Sequence, residues 1–173
     1  MDFTDSQVYH FRAFGTDAAG NYETSVTADP GLSATADATG PTSLIGTPAD
    51  GLAFKTLTTI TGTASDTLSI VAMTQVSIKD VDTGMYWNGA TAFDVPLKAN
   101  SWNDYTAGLP TNWTYYKANI AWFPDHTYEI LARAVDSLNN VGAENGPRTI
   151  VYDNTPPTTD VEIPSAGQTR LNA

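Results

Sequence analysis

Hydrophobic positions along this chain fall in short stretches of alternating parity, each closed by Gly, Pro, Asn or Asp, and helical periodicity is nearly absent. That pattern predicts an all-β fold. Residues 8–14 read as a strand, 17–21 as a turn, and 23–28 with part of 32–36 as the returning strand. Residues 43–46 open a second, longer set. In 58–64 Ile60 points inward. In 74–81 Val76 and Ile78 share one face and Ser77 and Lys79 the other. Asp82-Thr83-Gly84 predicts a tight turn, because glycine supplies the positive φ that the turn needs. Tyr86 and Trp87 begin the return, and Asn88-Gly89 signals a further turn. Residues 94–111 are the least regular, a long excursion or the seat of a short edge strand. In 113–122, Trp113 and Tyr115 take one parity and Ile120 and Trp122 the other. Residues 127–135 follow the turn at 123–126, and 148–152 close the set.

The pattern is also written twice. Tyr9, Ala13, Asp17 and Asn21 return without a gap as Tyr128, Ala132, Asp136 and Asn140, 119 residues on. Asp37-Ala-Thr-Gly-Pro41-Thr returns as Asp153-Asn-Thr-Pro-Pro157-Thr after 116 residues, and the match runs through Pro48 and Gly51 to Pro164 and Gly167. A period of that size is one domain rather than one supersecondary unit. Residues 1–41 then read as the last strands of a preceding repeat, 42–157 as a complete domain, and 158–173 as the first strand of a following one. Asp125-His-Thr-Tyr128 reads as a tyrosine corner, in which a hydroxyl at the start of the penultimate strand bonds upstream backbone. Tyr9 holds the same place in the other copy, so Tyr128 and Tyr9 are expected to be structural.

Residues 42–157 resemble the bacterial Ig-like domains that stand in long arrays on large exported proteins. The marks are Ile60-Thr-Gly-Thr-Ala-Ser-Asp66, Val76-Ser-Ile-Lys-Asp80, Thr83-Gly-Met-Tyr-Trp-Asn-Gly89 with Phe93, Tyr128-Glu-Ile-Leu-Ala-Arg-Ala-Val-Asp136, and Tyr152-Asp-Asn-Thr-Pro-Pro157. The resemblance implies an immunoglobulin-like β-sandwich of about seven strands, serving as a spacer or adhesive module at the cell surface. It implies no catalytic residues and fixes no ligand. One departure is Leu138-Asn139, where the family more often has a small residue and Gly; the first copy keeps Ala19-Gly20.

Charge narrows the partners. Nineteen acidic residues against eight basic ones give a net charge of −11, which opposes binding to nucleic acid or to an anionic membrane. No apolar run is long enough to span a bilayer. Cysteine is absent, which tilts the reading toward a bacterial exported protein or a cytosolic one. Met1 precedes what reads as mid-domain sequence, so a missing leader says nothing of the parent protein.

Ca²⁺ is the cation this composition suits, although no cofactor is required. It takes six to eight oxygens from carboxylates, amides and carbonyls. Candidate ligands are Asp136 and Asn140 in one turn and Asp153 and Asp160 around the linker, with Asp17, Asn21 and Asp37 as counterparts. Asp and Asn also cap turns with no metal at all. Asp66 has nothing acidic near it in sequence, and Asp80 with Asp82 reads as turn chemistry. Trp102 and Tyr105, in a polar loop, are the aromatics expected to be exposed and able to stack on sugar rings. The usual nucleophile, phosphate-loop and zinc motifs are missing. The sequence therefore reads as a non-enzymatic spacer or adhesive stalk module, extracellular or on a bacterial cell surface. Its partners would be neighbouring repeats and a surface glycan or protein ligand. The alternative is a carbohydrate-binding accessory module.

Overall fold

The computed structural model describes residues 3–23 and 32–160. Ahead of everything else, β1 (Val8–Phe11) and β2 (Leu32–Thr35) form an antiparallel hairpin that is a sheet by itself. The expected returning strand at 23–28 and the expected orphan strand at 158–173 lie largely outside the described residues.

Residues 42–157 fold as two sheets over one core. The first sheet runs β10 (Ala107–Leu109), β11 (Asn112–Tyr116), β5 (Thr59–Ser65), β3 (Thr42–Thr47), antiparallel throughout. The second runs β4 (Leu52–Phe54), β13 (Asn145–Tyr152), β12 (Thr127–Asp136), β6 (Val71–Asp80), β7 (Tyr86–Trp87), β8 (Phe93–Val95), and β9 (Asn103–Asp104) also pairs with β6. Only β4 on β13 is parallel. The fold is all-β, as the alternation predicts, and its architecture is a two-layer sandwich.

Period-two patterning explains why the layers close. Along β12, Tyr128, Ile130, Ala132 and Ala134 are fully buried while the residues between them are only partly so. They meet Ile45, Ile60, Trp113 and Tyr115 of the opposite sheet, with Val76, Ile78, Trp87 and Ile150 beside them. Each buried valine or isoleucine of this set contributes about 1.5–3 kcal/mol on leaving water. Within the first sheet a glycine makes room for a large cross-strand neighbour. A Cβ on Gly62 would strike the Leu44 carbonyl and the Trp113 indole, so that ring lies directly over glycine. A buried polar link also joins the two sheets: the Trp87 indole N–H donates to the Tyr115 hydroxyl at 2.9 Å.

Local differences from the sequence pattern have physical causes. The alternation in 113–122 runs to Trp122, but β11 stops at Tyr116. Trp122 still reaches the core region from a loop, its indole N–H bonded to the Leu57 carbonyl at 3.0 Å. Ser77, on the polar parity of β6, is buried because the excursion folds over it and places the Ser101 hydroxyl 2.6 Å away. That excursion holds β9 and the edge strand β10.

The sandwich has two distinct ends, separated by the ten residues of β12, about 30 Å at about 3.3 Å per residue. At one end, here the foot, Tyr128 starts β12, and its hydroxyl accepts the Phe123 backbone N–H at 2.7 Å. Burial pushes the Tyr128 phenol up to about 12, against the opposing effect of that hydrogen bond. At the other end, the head, Asp136 closes β12 in a turn.

The hairpin repeats this construction bond for bond. The Tyr9 hydroxyl accepts the Thr4 N–H at 2.6 Å, again five residues upstream. The ring of Phe3 meets Tyr9 edge-on at 4.6 Å, as Trp122 meets Tyr128 at 4.7 Å. Ser6 and Asp125, at matching positions, both have positive φ, 62° and 66°. Ser6 donates to the Ala36 carbonyl at 2.8 Å, as Asp125 donates to the Tyr152 carbonyl at 2.7 Å.

Candidate functional site

The Asp136 turn is assembled by local hydrogen bonds. Asp136 Oδ1 accepts from the backbone N–H groups of Leu138 and Asn140, both at 2.8 Å, and Oδ2 accepts from Asn140 Nδ2 at 2.9 Å. Asp17 and Asn21 make the same set in the first copy, at 2.9, 2.8 and 2.7 Å. The sequence thus writes an Asp-x-x-x-Asn turn that needs no metal to form. The copies differ in surroundings: Asp17 is exposed, whereas Asp136 is buried.

Two further segments bury Asp136. The loop from β5 to β6 brings Ser69, whose hydroxyl donates to Asp136 Oδ2 at 2.9 Å. The same loop is capped by Asp66, whose Oδ1 accepts from Leu68 and Ser69 N–H groups at 2.9 and 2.8 Å. The linker from the hairpin then passes over the head. The Asp37 carbonyl accepts Asn140 Nδ2 at 3.1 Å. Backbone meets backbone at Gly40 and Gly142, where a Cβ on either would collide with Val141 or Pro41.

These contacts place the carboxylates of Asp37, Asp66 and Asp136 within 4.8 Å of one another. Burial would raise the Asp136 carboxyl, but hydrogen bonds from Asn140, Ser69 and Leu138 outweigh it and hold it below its usual value. The Ser69 and Leu68 N–H groups hold Asp66 low as well, against burial and the charge of Asp136. One oxygen of the group is left over: Asp37 Oδ2 is buried and has no hydrogen-bond partner. Two calcium–oxygen bonds of about 2.4 Å span about 4.8 Å, so carboxylate oxygens at this spacing fit an oxygen-loving cation.

The structure brings some of the expected ligands together and leaves others apart. Asp136 and Asn140 do come together. Asp153 does not join them: it follows β13 at the foot, its N–H bonded to the Phe54 carbonyl at 3.1 Å and its Oδ1 accepting Thr155 N–H at 2.9 Å. Asp160, seven residues further on, is likewise no member of the Asp136 carboxylate group. The linker that meets Asp136 is the one entering the domain, at Asp37. Asp66, which has no acidic neighbour in sequence, is the third member.

A second group lies at the foot, where Asp80, Asp82 and His126 also converge within 4.8 Å. His126 Nδ1 is 2.9 Å from Asp80 Oδ2 and 3.1 Å from Oδ1, and Asp80 Oδ1 also accepts the Asp82 N–H at 3.0 Å. Here imidazole and carboxylate are in direct contact. Asp80 works as the buried anchor of its turn.

The expected aromatic platform is corrected too. Trp102 is partly buried, with the Arg133 guanidinium 4.2 Å from its ring. Tyr105 is partly buried and packs on the core. Both are less exposed than the sequence predicts.

Fold and junction together define a two-layer β-sandwich with the linker of a preceding hairpin seated in its head. No family model matches the chain, and no curated protein matches it. Among solved structures, a crystal structure of an engineered protein is similar with a TM-score of 0.38 and 17% identity, over 65% of this chain and 20% of that one. The chain therefore spans about a fifth of that protein's length, and so loose a likeness carries no weight here.

Proposed function

We propose that this chain is a stretch of a tandem array of Ig-like domains of the bacterial kind. It serves as a non-enzymatic spacer or adhesive stalk module of a large exported protein, outside the cell or on its surface. The observation that carries this reading is the duplicated corner, turn and linker, matched hydrogen bond by hydrogen bond between the hairpin and the complete sandwich. Similar units joined by similar linkers supply reach and display, and each unit's natural partner is its neighbour.

The joint between units is braced by Ca²⁺ in this reading, held by Asp37 from the linker and by Asp66 and Asp136 from the head. The leftover buried oxygen of Asp37 supports it, as does the gathering of three carboxylates with no cationic side chain among them. A ligand that binds only the folded state stabilises it by RT ln(1 + [L]/Kd), about 2.7 kcal/mol at a hundredfold excess over Kd. Millimolar Ca²⁺ should raise the melting temperature of the chain, and Asp66→Asn or Asp37→Asn should remove the increment. Calorimetry with no heat of binding, and a melt unmoved by EDTA, would leave the three carboxylates as turn caps.

A further inference from the structure

The two outer faces of the sandwich differ in charge. The second sheet turns Lys79, Glu129 and Arg133 outward from β6 and β12. The first sheet holds no Asp, Glu, Lys or Arg in β3, β5, β10 or β11. In a chain of net charge −11, one whole sheet is neutral.

What that sheet shows to solvent follows from its parity. Ile60, Trp113 and Tyr115 point into the core and are buried, so their neighbours point outward. Thr59, Thr61 and Thr63 line up along β5, and Tyr116, Thr114 and Asn112 stand directly opposite them on β11. Such side chains lie about 4.8 Å apart across a sheet and about 6.6 Å apart along it. The Tyr116 ring is 52% exposed. Among the described residues, none hydrogen-bonds the hydroxyls of Thr61, Thr63, Thr114 and Tyr116 or the side-chain amide of Asn112. The face lies between head and foot, where neighbouring units join, so units in series leave it open.

Chemistry narrows the occupant. The face has no carboxylate to attract a cationic partner and no cation for a polyanion, which the net charge also repels. An apolar partner would strip water from the threonine and asparagine groups and return no hydrogen bonds. A second copy is poorly matched in size. Four strands by the seven residues of β5 make a face of about 19 Å by about 23 Å, about 440 Å². A stable protein interface takes about 800 Å² from each partner. An uncharged polysaccharide meets each condition. It brings no charge, it returns hydroxyls to hydroxyls and amide, and the C–H face of a sugar ring suits the Tyr116 ring. A single glycan chain needs only the strip along β5 and β11.

We infer that the outer face of β5 and β11 binds an uncharged polysaccharide, Tyr116 stacking on one sugar ring while Asn112 and the threonine hydroxyls bond its neighbours. The inference rests on the adhesive half of the reading above, whose partner it names. It uses neither calcium nor the joint between units, so its test is run in EDTA.

The test is native affinity electrophoresis of the full chain through gels holding hydroxyethylcellulose, galactomannan or dextran. The expected result is retardation by at least one of these neutral polymers. Carboxymethylcellulose, which shares a backbone with hydroxyethylcellulose but is anionic, should retard the chain less than its neutral counterpart. Tyr116→Ala should raise the apparent Kd about tenfold. Thr63→Glu, which sets a carboxylate among the threonines, should abolish retardation. Both variants should keep the wild-type melting temperature, because both side chains face solvent. Glu129→Gln, on the other sheet, should bind as wild type does. Unchanged mobility in all three neutral gels overturns the inference and leaves the spacer reading standing. Retardation that survives both Tyr116→Ala and Thr63→Glu overturns it as well, by placing the glycan on another surface, and so does tighter binding to carboxymethylcellulose.

Discussion

Tyr128 concentrates what one residue can do here. Its ring packs against Trp122, Phe93 and His126, and its hydroxyl accepts the Phe123 N–H. Tyr128→Phe keeps the ring and orphans that donor. An unpaired buried donor costs about 1–3 kcal/mol, and a denaturant melt should show a loss of that size with an unchanged slope. Tyr9→Phe should leave the sandwich transition where it is, because Tyr9 lies in the separate hairpin. A wild-type melt for Tyr128→Phe would mean that water replaces the hydroxyl.

At the scale of elements, the head is a meeting of three segments: the turn after β12, the loop from β5 to β6, and the entering linker. Asp136 and Asp66 have carboxyls held below the ordinary value, so each stabilises the folded head while ionised. A depressed folded pKa gives stability that is present above the unfolded pKa of about 3.9 and is lost as pH falls through the lower folded value. The melting-temperature gap between wild type and Asp136→Asn should therefore be full at pH 7 and shrink below about pH 4. A gap that stays constant with pH would show that only packing was lost.

Much of this element-level order is readable from alternation alone. The inward set Ile60, Val76, Ile78, Tyr128, Ile130, Ala132 and Ala134 follows from parity. So does the equivalence of Asp17 with Asp136, because turn chemistry is local. What stays hidden depends on distant partners. The three residues Leu52–Phe54 become β4 only because β13 offers them a parallel edge. Asp66 is a loop cap in sequence and a member of the carboxylate group only once the fold brings the linker to it. Trp102 looks like a loop aromatic until Arg133, 31 residues on, covers it.

For the whole molecule, chain direction and the parallel pairing of β4 with β13 have a mechanical consequence. The chain enters at the head, and β3 carries it down to β4; it leaves the foot directly from β13. Tension applied through the two linkers therefore draws β4 toward the head and β13 toward the foot. The hydrogen bonds of Ile150, Val151 and Tyr152 with Leu52, Ala53 and Phe54 lie across that pull and are loaded together, not peeled one at a time. Forced unfolding is governed by the unfolding barrier rather than by equilibrium stability. Ala53→Pro, which removes a backbone N–H from this short edge strand, should lower the rupture force in single-molecule pulling far more than it lowers the melting temperature. Equal losses in both would place the mechanical barrier elsewhere. On this geometry a strand of three residues at the edge of its sheet decides how much load the domain bears before it gives way.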